Sequence, residues 1–240
     1  MRLDRYLSKV SPLSRSQAQK AIRAGRVTVN GKALKQASMA VAPTAEVRFD
    51  GEPLVKPAHR YFMLCKPKGY VCSSSDRHNS TVLELLHEPV LAGLHFAGRL
   101  DVDATGLVLI TDDGVWSHQI TSPRRNCPKC YLVTLAEPLS AQSADKLRAG
   151  VQLRGEQRPT KPAELTCLSD TVVRLTITEG RYHQVKRMLA AVGNRVIGLH
   201  RESIANLDLD SDLEPGEYRP LSGSEIVSLN ELASTEGENT

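Results

Sequence analysis

Leu3, Leu7 and Val10 recur at i, i+4 and i+7, the spacing of one helix face, and predict a short amphipathic helix at the start of the chain. Ser14 is placed to cap a second helix running to about Ala24. Its inward positions are Ala18, Ala21 and Ile22, and Gly25 is its stop. Arg15, Lys20, Arg23 and Arg26 then point outward. Val27-Thr28-Val29 followed by Asn30-Gly31 predicts a strand entering a tight hairpin, because that dipeptide accepts the positive φ angles such a turn demands. Val47-Arg48-Phe49 closes this unit ahead of an Asp50-Gly51 turn, and Pro53 to Arg60, with Pro57, has the composition of a linker.

From Tyr61 onward the pattern becomes strand-rich. Tyr61 to Leu64, Leu107 to Thr111, Tyr131 to Leu135 and Val172 to Thr178 predict strands, and Leu107-Val108-Leu109-Ile110 is an apolar run suited to a buried one. Helices are predicted near Val82–Leu86, Trp116–Ile120, Ala141–Ala149 and Gln184–Val192. In the last, Val185, Met188, Leu189 and Val192 form the apolar stripe, while Lys186 and Arg187 point elsewhere. The expectation is an α+β chain: a small domain over 1–48, a linker over 49–60, and a larger domain over 61–232 built on a mixed, mostly antiparallel sheet with flanking helices. Residues 233–240 are polar and expected to be disordered.

Charge sharpens this division. Residues 1–60 carry twelve Lys/Arg against four Asp/Glu, residues 61–201 eighteen against thirteen, and residues 202–240 one against ten. A basic front followed by a less basic body suits a polyanion partner, most economically nucleic acid. No apolar run approaches the length of a membrane span, and no signal segment opens the chain. Five cysteines, an odd number, suit reduced thiols and a cytoplasmic location. Nothing in the sequence suggests an oligomer, so a monomer is expected.

Gly98-Arg99-Leu100-Asp101-Val102-Asp103-Ala104-Thr105-Gly106-Leu107 is the most suggestive segment. It sets one carboxylate, Asp101, in a glycine-bounded loop leading into the buried strand, where a scaffold can hold a reactive group still. By itself such a residue is a nucleophile, a general base, a metal ligand or a turn former. Cys127-Pro128-Lys129-Cys130 has the spacing of half a zinc site, but no second pair lies at a suitable distance. His118, Cys65 and Cys72 are the remaining candidates to complete one, and no metal is expected.

Residues 1–48 resemble the S-four type of RNA-binding domain through Arg2-Leu3-Asp4, Ser14-Arg15-Ser16-Gln17-Ala18, Ile22 and Gly25 to Gly31. The resemblance implies RNA contacts from Arg2, Arg15, Lys20, Arg23, Arg26, Asn30 and Lys32. Beyond it, the Gly98–Leu107 segment resembles the loop that carries the catalytic aspartate of pseudouridine synthases. Lys129-Cys130-Tyr131, Glu179 to Met188, Val192-Gly193 and Val196 to Arg201 match further elements of that family in order. Lys66 to Val71 and Pro215 to Tyr218 fit its RsuA-type subgroup, which acts on small-subunit ribosomal RNA at uridine 516.

The resemblance implies that Asp101 is the reacting carboxylate, with Lys186 its basic partner and Tyr131 stacked on the base. It also implies that Arg99 holds the nucleotide out of its stack, and that Thr105, Lys129 and Leu199 contact the substrate. The isomerisation breaks the N1–C1′ bond and rejoins uracil through C5, which requires no metal, redox cofactor or second substrate. Asp103 is read as loop structure, and His183 as orienting RNA or packing on the helix. Two other readings stay open: a synthase for large-subunit RNA, and an RNA-binding assembly factor without chemistry.

Overall fold

The structure, a computed structural model, describes residues 1–42, 44–55 and 58–232, with residue 232 described by its backbone alone. Pro57 of the expected linker and the tail at 233–240 lie outside the described residues. The chain divides into two compact units, Met1–Ala58 and His59–Thr240.

In the first unit α1 (Leu3–Val10) and α2 (Arg15–Arg23) pack over a four-stranded sheet ordered β2-β1-β3-β4, formed by β1 (Val27–Val29), β2 (Lys32–Ala33), β3 (Val47–Phe49) and β4 (Glu52–Pro53). The Ser14 hydroxyl accepts from Gln17 N, and the Gln17 side chain accepts from Ser14 N, so the predicted cap is a full capping box. Leu3, Leu7, Ala18, Ala21, Ile22, Val27 and Val47 form its core. Asn30 and Gly31 have φ of 49° and 76°, the primed turn the sequence implied. The linker expected from residue 49 is displaced: Asp50 and Gly51, both at positive φ, turn the chain into β4, which pairs antiparallel with β3. Pro53 sits at the sheet edge, where its missing N–H costs no ladder bond.

The second unit is one nine-stranded sheet. Its main path runs β13 (Tyr218–Pro220), β5 (Tyr61–Lys66), β7 (Thr105–Thr111), β11 (Val196–Ile204), β8 (Lys129–Leu135), β10 (Val172–Ile177) and β9 (Glu164–Cys167). Two short strands lie off this path: β6 (His95–Phe96) on β7 and β12 (Leu207–Asp208) on β11. Every pairing is antiparallel except β7 with β11, which joins the two halves of the sheet.

Helices cover both faces. Val108 and Ile110 of β7 face the core shared with α4 (Ala141–Ala149) and α5 (Gln184–Ala191). Leu107 and Leu109 face the opposite core, shared with α3 (Gly114–Thr121) and α6 (Gly223–Leu232). Burial on both faces explains why this strand reads as a continuous apolar run. The helix predicted near Val82 is a 3-10 turn over Val82–Leu85. None of the described helices is long and apolar enough to cross a membrane.

Candidate active site

The parallel junction of β7 and β11 decides where the loop that carries Asp101 sits. Gly106 pairs with Arg201 there, and a Cβ on Gly106 would lie 2.3 Å from the Arg201 carbonyl oxygen. The close approach and the φ of +102° both demand glycine. Residues 98–104, just ahead of β7, are consequently delivered to the middle of the sheet, beside Tyr131 of β8.

Two buried cations hold this loop by its carbonyls. Arg201, 1% exposed, donates from Nε to Leu107 O (2.8 Å), from Nη2 to Gly98 O (3.2 Å) and from Nη1 to Arg99 O (3.4 Å). Lys66, fully buried, donates from Nζ to Ala104 O (2.7 Å), Pro67 O (3.0 Å) and Val102 O (3.4 Å). Burial pulls the Lys66 ammonium below the usual lysine value. Leu100 and Ala104 are buried in the core, and Leu100 N donates to Cys72 Sγ. Between these anchors Asp101 faces outward.

A second network presents α5. Gln184, buried, donates to Glu179 Oε1 at 2.8 Å and accepts from Arg181 N at 2.8 Å. The Glu179 carboxylate also takes Lys161 N and Arg181 Nε. Arg187 is tied to Glu156 and to the carbonyl of Arg154. With Val185, Met188 and Leu189 in the core, Lys186 is left on the outward side of α5.

There Lys186 Nζ lies 2.9 Å from Asp101 Oδ2 and 2.6 Å from Asp103 Oδ1. Partial burial pulls the Lys186 ammonium down, but the Asp103 and Asp101 carboxylates outweigh it and its pKa is raised. Hydrogen bonding from Lys186 holds the Asp103 carboxyl below its ordinary value. Asp103 is therefore part of the charge cluster rather than loop structure alone.

Asp101 and Lys186 line a cleft of about 830 Å³ together with Arg99, Lys129, Tyr131, His183, Leu199 and Arg201, whereas Asp103 is not among its lining residues. Lys129 and Tyr131 share one face of β8, both buried. Lys129 Nζ donates to Cys127 O at 2.9 Å, and burial lowers its pKa. Arg99 extends from the loop into solvent and makes no side-chain ion pair among the described residues.

Thr105, expected at the substrate, is not among the residues lining the cleft. Its hydroxyl lies 2.9 Å from His200 Nδ1 within the β7–β11 junction, so it is committed to holding those strands together. Among the described residues no group of three or more His, Cys, Asp or Glu side chains is arranged to hold a metal. Cys127 and Cys130 do not converge: Cys127 is buried against the α3 face, while the Cys130 thiol meets Glu202.

In the first unit all seven expected RNA contacts are exposed. Arg2 and Arg15 converge on the buried Asp4 carboxylate, Arg26 pairs with Asp50, and Asn30 Oδ1 accepts from Glu46 N. Lys20, Arg23 and Lys32 make no side-chain ion pair among the described residues.

Neither Lys66 nor Arg201 announces itself in the sequence: Lys66 ends the apolar run Tyr61–Cys65 like any residue closing a strand, and Arg201 lies in a stretch, Val196–Ile204, that is only about half apolar. The signal available was a charged residue at an inward strand position: Lys66 directly follows Tyr61–Cys65. His183 and Asp103 lie inside quoted motifs, but nothing in spacing alone sets them against Asp101.

The model of the family described as RNA pseudouridylate synthase matches residues 60–191, the span that contains the loop, β8 and α5. The chain belongs to the pseudouridine synthase family. Its first unit is an S4 domain, whose model matches residues 1–47. Over 230 residues the chain is 56% identical to the ribosomal small subunit pseudouridine synthase A of Yersinia pestis, covering 95% of this chain and 98% of the relative. The protein of the same name in Escherichia coli K12 is 55% identical, with 95% and 100% covered. A solved structure described as a pseudouridylate synthase superposes with a TM-score of 0.70 at 52% identity, over 95% of this chain and 99% of that one. This pseudouridine synthase is thus an isomerase, with its cluster of Asp101, Lys186 and Tyr131 inside the span that defines the family.

Proposed function

We propose that this synthase isomerises one uridine of small-subunit ribosomal RNA, uridine 516, to pseudouridine, with Asp101 as the reacting group. The observation that carries this reading is the Asp101 carboxylate held 2.9 Å from Lys186 Nζ at the mouth of a cleft floored by Tyr131.

The chemistry needs an ionised carboxylate that touches the ribose, either attacking C1′ or taking a ribose proton. Lys186 supplies its counter-charge in both cases. The uracil must then separate at N1, turn and rejoin through C5, which gives up its proton while N1 gains one. Tyr131 offers a flat wall on which the base turns, and Leu199 bounds the cleft beside it. Lys129 has its ammonium turned to a backbone carbonyl, so its part is to shape the cleft wall.

A duplexed or stacked uridine cannot reach such a cleft, so the nucleotide has to be extruded. Arg99 is long, cationic and exposed at the rim, and it can occupy the space the base leaves. Lys20, Arg23 and Lys32 of the S4 domain add phosphate contacts, which is how structured RNA is held without base readout. The names of the relatives support small-subunit RNA as substrate. We further propose that the protein works as a cytoplasmic monomer.

The test is to map carbodiimide-resistant reverse-transcription stops in ribosomal RNA from cells with and without the protein. A stop lost at uridine 516 supports the assignment. A stop lost in the large-subunit RNA with the small-subunit pattern unchanged overturns it.

A further inference from the structure

Lys186 alone does not fix the Asp101 carboxylate. Its ammonium is shared between two acids, and the shorter contact, 2.6 Å, goes to Asp103 rather than to Asp101 at 2.9 Å. A carboxylate held by one shared cation keeps freedom to rotate about its Cβ–Cγ bond. A reacting oxygen in that state spends part of its time misdirected.

His183 stands on the other side. Its Nε2 lies 3.3 Å from Asp101 Oδ1, while Lys186 occupies Oδ2. Among the described residues these are the two basic groups that reach Asp101.

The way His183 is presented argues that its placement matters. It precedes α5 with φ 48° and ψ 37°, a left-handed backbone that a β-carbon disfavours. Strain of this kind persists where the surroundings hold it and gathers at functional sites. Here the surroundings are the Glu179–Gln184 network and the face of Tyr182, on which the imidazole is stacked at 3.8 Å with 21° between the planes. Stack and backbone together aim Nε2 at the carboxylate.

We propose that His183 is a positioning residue: by donating from Nε2 to Asp101 Oδ1 as the cleft closes on RNA, it sets the rotation of the carboxylate that Lys186 leaves free. At 3.3 Å the contact is long for a hydrogen bond to a carboxylate, as is common in a site without its substrate. The inference rests on Asp101 being the reacting group.

Three substitutions separate the side chain from the backbone. Glutamine places an amide nitrogen near the position of Nε2 but bears the left-handed strain. Asparagine tolerates the backbone but its nitrogen matches Nδ1 and falls short. Glycine keeps the backbone and removes the group. Single-turnover conversion is measured on small-subunit particles from cells lacking the protein, by the carbodiimide stop, alongside RNA affinity.

His183→Gln is expected within about threefold of the wild-type rate, and His183→Asn and His183→Gly slower by about tenfold or more, the loss typical of one hydrogen bond to a charged group. RNA affinity should stay within about twofold throughout. Asparagine and glycine variants at the wild-type rate, a glutamine variant as slow as glycine, or a loss confined to RNA affinity would each overturn the proposal. Asp101→Asn in the same assay keeps the two readings apart. If it turns over normally, the assignment of Asp101 fails; if it is inactive while His183→Gly is normal, this inference alone fails.

Discussion

Gly106→Ala tests whether the approach of β7 to β11 is what seats the loop that carries Asp101. The new Cβ would fall 2.3 Å from Arg201 O, 2.7 Å from Arg201 N and 3.0 Å from Arg201 C, all backbone atoms that cannot swing aside. Bringing the first contact to 3.0 Å requires the strands to part by about 0.7 Å. Such overpacking costs roughly 1–3 kcal/mol, on top of roughly 1–2 kcal/mol for alanine at positive φ. Gly216 is the matched control, since its φ is also +102° and nothing lies within 4 Å of a Cβ built there. The difference between Gly106→Ala and Gly216→Ala therefore isolates the close approach, at about 2 kcal/mol, or roughly 4–8 °C in Tm for a domain of this size. Thermal unfolding followed by circular dichroism measures it, and conversion rates should fall for Gly106→Ala alone. Two variants melting within about one degree of each other would refute the reasoning.

Other consequences follow from individual contacts. Asp4 is fully buried beneath Arg2, Arg15 and Gln19, and hydrogen bonding from Arg2 holds its carboxyl well below the usual value of 3.8. A depressed folded value stabilises above the unfolded one and is lost as pH falls through the folded one. Asp4→Asn should thus speed amide exchange in α1 by an amount worth about 2 kcal/mol at neutral pH, and the gap from wild type should narrow below pH 3.8. Lys186→Met should lower single-turnover conversion about 100-fold with KM within about threefold, because a counter-charge fixed in the site acts on the reacting state; an unchanged rate would remove Lys186 from the chemistry. Replacing Lys20 and Arg23 together by alanine should lower the slope of log affinity against log salt by about 1–2 while leaving conversion of bound RNA intact.

Much of this arrangement was legible because local signals and the tertiary outcome agree. Ser14 with Gln17, Asn30-Gly31 and the apolar run at Leu107–Ile110 each specify their element through short-range chemistry. Two-residue strands such as β4 and β6 carry no period of their own and exist because a neighbour offers a ladder, so Glu52–Pro53 read as linker. The strand β11 escaped for another reason: its burial does not alternate, and it holds register shifts near Gly198 and between Arg201 and Ser203. Asp101, Tyr131 and Lys186 were legible as motif residues, whereas the buried Arg201 and Lys66 were not. Their partners are backbone carbonyls, which leave no trace in side-chain spacing. Thr105, which the resemblance sets at the substrate, lies beside the Asp101 loop in sequence, but its hydroxyl meets His200 Nδ1 across the β7–β11 junction, a long-range contact that no local pattern shows.

The central claim is that the Asp101 carboxylate, and not merely its loop, carries the reaction. Asp101→Asn keeps the size of the side chain and the cleft but removes the charge. Measured by carbodiimide-resistant stops on small-subunit RNA under single-turnover conditions, this variant should bind the RNA with wild-type affinity and form no pseudouridine. Pseudouridine appearing at the wild-type rate would contradict the account.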